Sequence, residues 1–489
     1  MSRTVFLAGL CALGALSLLA LLVSGGSPAA AAAPVLGLAL LWAAWRAPLK
    51  ATLVAFMFLS LIAVALQDNP HEFYWRSPLQ GLGALLSDNW SRTFGIPILS
   101  FSGSDVLAAL LLLRIAMRGG AGGTAFVLWR VLGAFLAGLA GLAIWGAAHG
   151  GQLGIAYWQV RQLVYIPVFA FLLAQALDGE GDLRLLGPIV IAAALVKAVL
   201  GLYFYLAIAR RQGLEISFVT SHADSMLFCL SIVLMLLRWL EQPDAKSLRR
   251  FLWIAPVLLA AIWLNNRRIA WVELAVGLAL VWQLARWNAA KRAAARAALV
   301  CAPLFALYLA AGWYSSAAFF KPVVSIKTIV APSASARDSS SQSRRIENFN
   351  LSQTLRAHPL GIGLGQPYEE IVKGPDISEG FALYRYIPHN SILWMMAAGG
   401  PIGFFLLWAP FAVGMFLAVR ARRLARSPIE RISAIAAVCA LVVYLIQAYG
   451  DMGTQNWATT WLVAAALAVA GKVAVATETV EEDVCTALA

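Results

Sequence analysis

Charge is what this sequence has least of. Only 12% of its 489 residues are Asp, Glu, Lys or Arg, against 61% hydrophobic, and the mean hydropathy is +0.77. A soluble fold of this size needs more polar surface, so that class is excluded and the bilayer is the solvent. Cysteine is scarce too. Cys11, Cys229, Cys301 and Cys439 lie in apolar runs and Cys485 in the tail, which argues against a disulfide framework or a Cys-based metal site. The spacing His-Glu-x-x-His is missing, as are Asp-x-Asp and a Ser-centred nucleophile elbow, so no metal site is expected. Internal repeats are not visible, and an inverted-repeat transporter gains no support.

What is there is a succession of apolar runs, from Val5–Val23 to Thr460–Gly471, separated by short charged breaks. They predict an all-α polytopic membrane protein with about 14 transmembrane helices, within a range of about 12–14. Val5–Val23, with Arg3 before it, has the outline of a secretory signal and reads here as an uncleaved first span. The net charge of +13 invites a nucleic-acid reading, but its distribution argues against one. Basic residues gather in alternate loops, such as Arg238 to Arg250, Arg286 to Arg296 and Arg420 to Arg431. That alternation is the positive-inside pattern, and it puts both termini in the cytoplasm.

On this topology two outward loops are long. Gln67 to Asp105, with His71, Trp75 and Trp90, reads as an interfacial lid or re-entrant piece. Tyr314 to Pro388 is the main polar segment. It opens on a Ser-rich stretch, Ser333 to Ser343, expected to be flexible. Arg344 to Arg356 then reads as an amphipathic helix, with Ile346, Phe349 and Leu355 near one face. The chain divides into N-terminal helices (1–250), helices around an outward arginine turn (251–316), a periplasmic loop (317–389), C-terminal helices (390–472) and a cytoplasmic tail (473–489).

All five histidines (His71, His149, His222, His358, His389) fall on the outward side, together with Arg161, Arg210, Arg211, Arg267, Arg268, Arg344, Arg345 and Arg356. Positive charge there runs against the topological bias and asks for another cause. Arg267 and Arg268 sit at the mouth of two spans with almost no polar loop between them. They either snorkel or pair with Glu273, or they clamp an anionic group, for which guanidinium donates parallel hydrogen bonds. Arg161, about one turn inside its helix, either pairs with a carboxylate such as Asp105 or meets a ligand. Arg210 and Arg211 anchor a span or act on substrate, and His222 with Asp224 opens another span.

The most informative segment is Arg385-Tyr-Ile-Pro-His389-Asn390-Ser-Ile-Leu-Trp, followed by Gly399-Gly400-Pro-Ile-Gly403. It lies where the polar loop re-enters an apolar helix, so His389 and Asn390 meet water and headgroups together. His389-Asn390, nine residues and Gly400-Pro-Ile-Gly403 resemble the His-(Asn/Ser/Gln)-x9-Gly-x-x-Gly signature of bacterial O-antigen ligases. Arg345 … Arg356-Ala-His358-Pro359-Leu-Gly361-Ile-Gly363-Leu-Gly365 resembles the rest of that ligase/polymerase domain. The Asn-Arg-Arg268-Ile-Ala-Trp271 turn is similar to the family's Ser-Arg-Gly-Ala-Trp turn. Phe404 stands where the ligase signature carries Thr, which leaves an O-antigen or exopolysaccharide polymerase open beside a ligase.

The resemblance implies a GT-C-like inner-membrane glycosyltransferase without metal or cofactor, acting on the periplasmic face. Its donor would be a glycan on undecaprenyl pyrophosphate, and its acceptor lipid A–core (ligase) or a growing polysaccharide (polymerase). His389 would be the base, at a helix start where the positive dipole end favours a neutral ring, while Asn390 caps the helix or orients His389. A structural hydrogen bond between loop and helix is the other role open to His389. Arg268, Arg267, Arg161, Arg211 and Arg345 would hold the pyrophosphate. Arg356, His358, Gly361, Gly363 and Gly365 would form a substrate loop, unless the glycines simply make a tight turn. A glycolipid transporter would also line an outward cavity with arginine, but it needs polar groups deep in several spans, and these are sparse.

Overall fold

The computed structural model describes residues 3–23, 25–26, 28–64, 75–91, 99–119, 123–216, 218–315, 317–331, 339–374, 376–377, 381, 383–451 and 456–488. His71 and residues 332–338 lie outside them. The helices in order are α1 (Arg3–Val23), α2 (Pro28–Arg46), α3 (Leu49–Ile62), α4 (Gln80–Leu86), α5 (Gly103–Arg118), α6 (Phe126–Ala148), α7 (Leu153–Ala176) and α8 (Gly179–Tyr203). They continue with α9 (Asp224–Glu241), α10 (Ala245–Asn265), α11 (Arg268–Leu284), α12 (Ala289–Gly312), α13 (Lys321–Val330), α14 (Ser339–Ala357), α15 (Ser391–Leu424), α16 (Pro428–Gly450) and α17 (Trp457–Leu488).

Eight helical stretches are long and apolar enough to cross a membrane among the described residues, one of them running from Gly179 to Gln212. The protein is therefore a multi-pass helical membrane protein, but length and composition do not support fourteen spans. The reason is plain in α3, α5 and α11, which have 14, 16 and 17 residues. A straight crossing takes about 20.

The centre of the bundle is α15, α16 and α17 packed on α6 and α7, with α9 joining it to α8, α10 and α11. Trp461 of α17 is fully buried, stacked on Phe169 of α7 at 3.9 Å and edge-on to Phe56 of α3 at 5.0 Å. The Ser-rich stretch departs from expectation, since Ser339 to Ser343 are already helical in α14. The buried face of α14 also differs: Asn350, Leu351 and Thr354 are sealed, while Phe349 is 44% exposed. That face is polar because it grips a loop. The Asn350 amide bonds both backbone groups of Val372 (Nδ2 to O 2.8 Å, N to Oδ1 3.0 Å), and Thr354 Oγ1 accepts from the Glu369 N–H at 2.9 Å.

The glycine run Gly361-Ile-Gly363-Leu-Gly365 is an extended strap between helices. In α15, Gly400 leaves helical geometry (φ 57°, ψ −168°), and Pro401 has no N–H to give the Ala397 carbonyl. Ile362 N–H takes that carbonyl at 3.1 Å and Gly363 N–H takes that of Ala398 at 2.9 Å. On the other side Leu364 N–H reaches the Leu142 carbonyl at 2.9 Å, and Gly365 O accepts from Gln152 N–H at 3.0 Å. The Gly-Pro kink and the glycine strap are thus two halves of one joint, each satisfying backbone groups the other strands.

Candidate active site

α7 to α12 and α15 to α17 alternate in direction, so the starts of α7, α9, α11 and α15 share one end of the bundle with the last turns of α8, α10 and α16. His149, His222, Arg267, Arg268, His389 and Asp451 all fall at that end. α14 lies across it and meets Arg268 through Ser341, Asp451 through Arg344 and His389 through Glu347.

His389 precedes the N-cap of α15. Its backbone N–H donates to Glu347 Oε2 at 2.9 Å, and its ring Nδ1 lies 3.3 Å from the same carboxylate. A carboxylate on Nδ1 favours the tautomer with the proton there and leaves the Nε2 lone pair available. Asn390 is the N-cap: Oδ1 accepts from Leu393 N–H at 3.0 Å, and Nδ2 donates to Asn348 Oδ1 at 3.1 Å. Its amide thus ties α15 to α14 and fixes the backbone on which His389 stands.

Beside the dyad is a cavity of about 220 Å³, lined by Arg344, Glu347, Tyr368, Glu370, Tyr384 and His389 among others. Burial, with the charges of Glu347 and Glu370, pushes the Tyr368 phenol above its usual range, so it is a hydrogen-bond donor at neutral pH. Glu370 is held by Arg385 at 3.0 Å.

Arg344 is in the lining of that cavity, and two more arginines, Arg267 and Arg268, stand at the start of α11. The turn between α10 and α11 is built by two asparagines: Asn266 adopts a left-handed conformation (φ 51°), and buried Asn265 bonds Thr220 N–H, Ser221 O and Ser225 Oγ at 3.0–3.1 Å. This aims Arg267 at His222, which it contacts through Nη2 and the imidazole Nε2, with its guanidinium 4.4 Å from the Phe218 ring centre. Arg268 donates to Ser341 Oγ of α14 at 3.1 Å. Asp451, just past α16, holds His222 Nδ1 at 2.7 Å and Arg344 at 3.6 Å. The Nε–H groups of Arg267 and Arg344 are both buried and have no acceptor among the described residues. Glu273, the other expected partner of this turn, is fully buried without a hydrogen-bond partner among them.

Burial lowers Arg267 to about 10, with Arg344 adding to the fall and Asp451 opposing it. It keeps its charge at neutral pH and stands to gain from a further anion. Asp451 is buried, which by itself raises a carboxyl, but His222, Arg344 and Arg267 hold it at about 2. Because the folded value lies below the ordinary 3.8, its stabilising contribution is complete above that pH and is lost as pH falls toward about 2. Thermal unfolding in detergent is expected to show this acid-side loss, with Asp451→Asn flattening that limb.

The remaining expected residues lie elsewhere or are already engaged. Arg161 is 4% exposed and donates to Asp105 Oδ2 and Ser102 Oγ at 2.6 Å each. Truncation to Ala would strand Asp105 near the α5–α7–α17 junction and cost about 3 kcal/mol of stability, read as a lowered melting temperature. Arg211, Arg345 and Arg356 are exposed. His358 pairs at the surface with Glu369, Nε2 to Oε1 at 2.9 Å. Gly361, Gly363 and Gly365 all have positive φ (85°, 78° and 83°), and a Cβ at any of them would meet backbone atoms 2.3–2.5 Å away. Helix packing therefore already accounts for these three glycines.

Glu347 and Asp451 carried no assigned role in the sequence. Glu347 stands three residues after Arg344, so one helical face presents both. Asp451 is an acid directly after an apolar run, a position where a charge needs a partner.

A membrane-embedded helical protein with a His–carboxylate pair, an arginine cluster and a cavity at one end has the parts for group transfer on an anionic, lipid-borne substrate. Residues 251–408 match the family model described as O-antigen ligase, which supports an O-antigen ligase-related family and ligase- or polymerase-type activity in general. The match runs from α10 into α15 and includes the arginine turn, α14, the glycine strap and His389; His222 and Asp451 fall outside it. No curated protein matches the chain.

Proposed function

We propose that the protein is an inverting glycosyltransferase of the inner membrane that moves a glycan whole from undecaprenyl pyrophosphate to a sugar hydroxyl at the His389 end, taken as the periplasmic face of a GT-C-like bundle. The observation that carries this reading is the His389–Glu347 pair beside a cavity shared with Arg344, whose Nε–H is buried without an acceptor. His389 Nε2 takes the proton of the acceptor hydroxyl as its oxygen attacks the anomeric carbon. The bond to the pyrophosphate oxygen breaks, and its electrons leave with the pyrophosphate. Arg344, Arg267 and Arg268 hold that charge without a metal or cofactor, which makes pyrophosphate a competent leaving group. Arg211 and Arg345 are further candidates for the approach of the donor. Arg161 is not assigned to the clamp: its Nη2 donates to Asp105 and Ser102, although its Nε–H, like those of Arg267 and Arg344, is buried without an acceptor among the described residues.

The acceptor assigned is lipid A–core, as for a ligase. Phe404, standing where the ligase signature carries Thr, leaves room for the alternative, a polymerase extending a polysaccharide from donor alone. A glycolipid transporter is the third reading. Purified protein in liposomes with undecaprenyl-pyrophosphate-linked repeat units, with and without lipid A–core, separates them on a gel. Product only with acceptor means a ligase, a ladder from donor alone means a polymerase, and no His389-dependent product sinks both enzymatic readings.

A further inference from the structure

A second cavity lies at the other end of the molecule. It has a volume of about 320 Å³ and opens between α8, α9, α16 and α17, with the start of α10 at its rim. Small side chains make the space: Gly187 of α8 faces Ala436, Ala437 and Ala440 of α16 and Ala465 and Ala466 of α17. Its depth is apolar, reaching Val190 and Leu230. Its mouth is lined by Arg184, Arg238 and Arg250, one from each of α8, α9 and α10, and all three are exposed. Arg238 is partly occupied, donating to Gln242 O at 2.9 Å and standing 3.6 Å from Asp244 Oδ2. Arg184 and Arg250 form no ion pair among the described residues. The nearby carboxylate Glu241 is buried and taken by Arg431 at 3.1 Å, so it does not neutralise the rim.

An apolar slot between membrane helices, ending in three guanidiniums from three different helices, matches one chemistry: an acyl chain with a phosphate at its head. We propose that this groove is a binding site for an anionic glycerophospholipid, its chain between α8, α9, α16 and α17 and its phosphate on Arg184, Arg238 and Arg250. The charge complementarity sets the headgroup, and the Gly/Ala walls set the chain. The site is independent of the His389 chemistry and stands if that reading fails. A lipid seated there would tie α9, at the junction of the two helix groups, to α16 and α17 in the centre.

The test uses the full-length protein in detergent, titrated with phosphatidylglycerol, phosphatidylcholine, undecaprenyl phosphate or inorganic phosphate, with bound lipid read by native mass spectrometry and stability by thermal unfolding. Phosphatidylglycerol is expected to be retained about tenfold better than phosphatidylcholine and to raise the melting temperature more. R184Q/R238Q/R250Q should lose that preference. Ala436→Leu, which fills the groove and leaves the arginines in place, should lose retention of either lipid there; should the triple variant not fold, this variant and the headgroup comparison decide. Equal retention of the two phospholipids, or an unchanged preference in the variants, overturns the site. Displacement of phosphatidylglycerol by equimolar undecaprenyl phosphate overturns the assigned occupant. Equal stabilisation by inorganic phosphate alone overturns the role of the chain.

Discussion

His389→Ala is expected to lower the turnover of glycan transfer by about 10²- to 10⁴-fold, the usual contribution of a positioned general base. Two companion variants separate chemistry from architecture. His389→Gln can still donate a side-chain hydrogen bond to Glu347 but has no basic nitrogen. Under the mechanism above it is as inactive as the alanine variant, whereas a purely structural histidine would be rescued by it. Glu347→Gln keeps a polar group against the ring while removing the carboxylate charge. Its expected signature is a fall in kcat of about tenfold or more with KM little changed, since Glu347 acts through His389 rather than on bound sugar. The Glu347 contact to the His389 backbone at 2.9 Å makes a wrongly placed loop the competing explanation. An unchanged melting temperature in Glu347→Gln excludes it.

The second large effect concerns folding. Gly363 has φ 78°, and a Cβ there would lie 2.3 Å from the backbone nitrogen of Gly146. Gly363→Ala must therefore adopt a left-handed conformation with a side chain and push the strap away from α6. That also breaks the bonds to the Ala397 and Ala398 carbonyls at the α15 kink. The expected cost is about 3 kcal/mol or more, enough to deplete folded protein from the membrane. Gly154→Ala is the control, because nothing lies within 4 Å of its Cβ position and its φ is ordinary. It should be neutral or slightly stabilising, as helix propensity predicts. Equal losses in the two variants would remove the argument that backbone contact dictates glycine in the strap.

These two predictions rest on features that were unequally legible in the sequence. The helical, bilayer-dissolved character followed from composition alone. The start of α15 at His389-Asn390 followed from a polar pair before an apolar run, and the Asn390 amide does cap that helix. The number of crossings did not follow, because hydropathy does not distinguish a 16-residue helix such as α5 from a full span. Arg161 left two readings open, and of these the structure displays the pairing with Asp105.

The glycine strap left a substrate loop and a tight turn both open, for a physical reason. A run of alternating glycines signals close backbone approach, but sequence does not say whether the approaching group is a ligand or a helix. Here it is the kinked segment of α15 and the last turns of α6. Likewise the pairing of Glu347 with His389, and of Asp451 with His222 and Arg344, joins residues 42 to 229 positions apart. Such pairs have no local period to reveal them. They emerge only once α14 is laid across the end of the bundle.

The central claim is a single displacement at the anomeric carbon, driven by His389 and by guanidiniums that hold the departing pyrophosphate. The most direct test is the anomeric configuration of the new linkage, determined by NMR on product made from a donor of defined configuration. The account predicts inversion. Retention would contradict it, because a single in-line displacement at the anomeric carbon inverts its configuration.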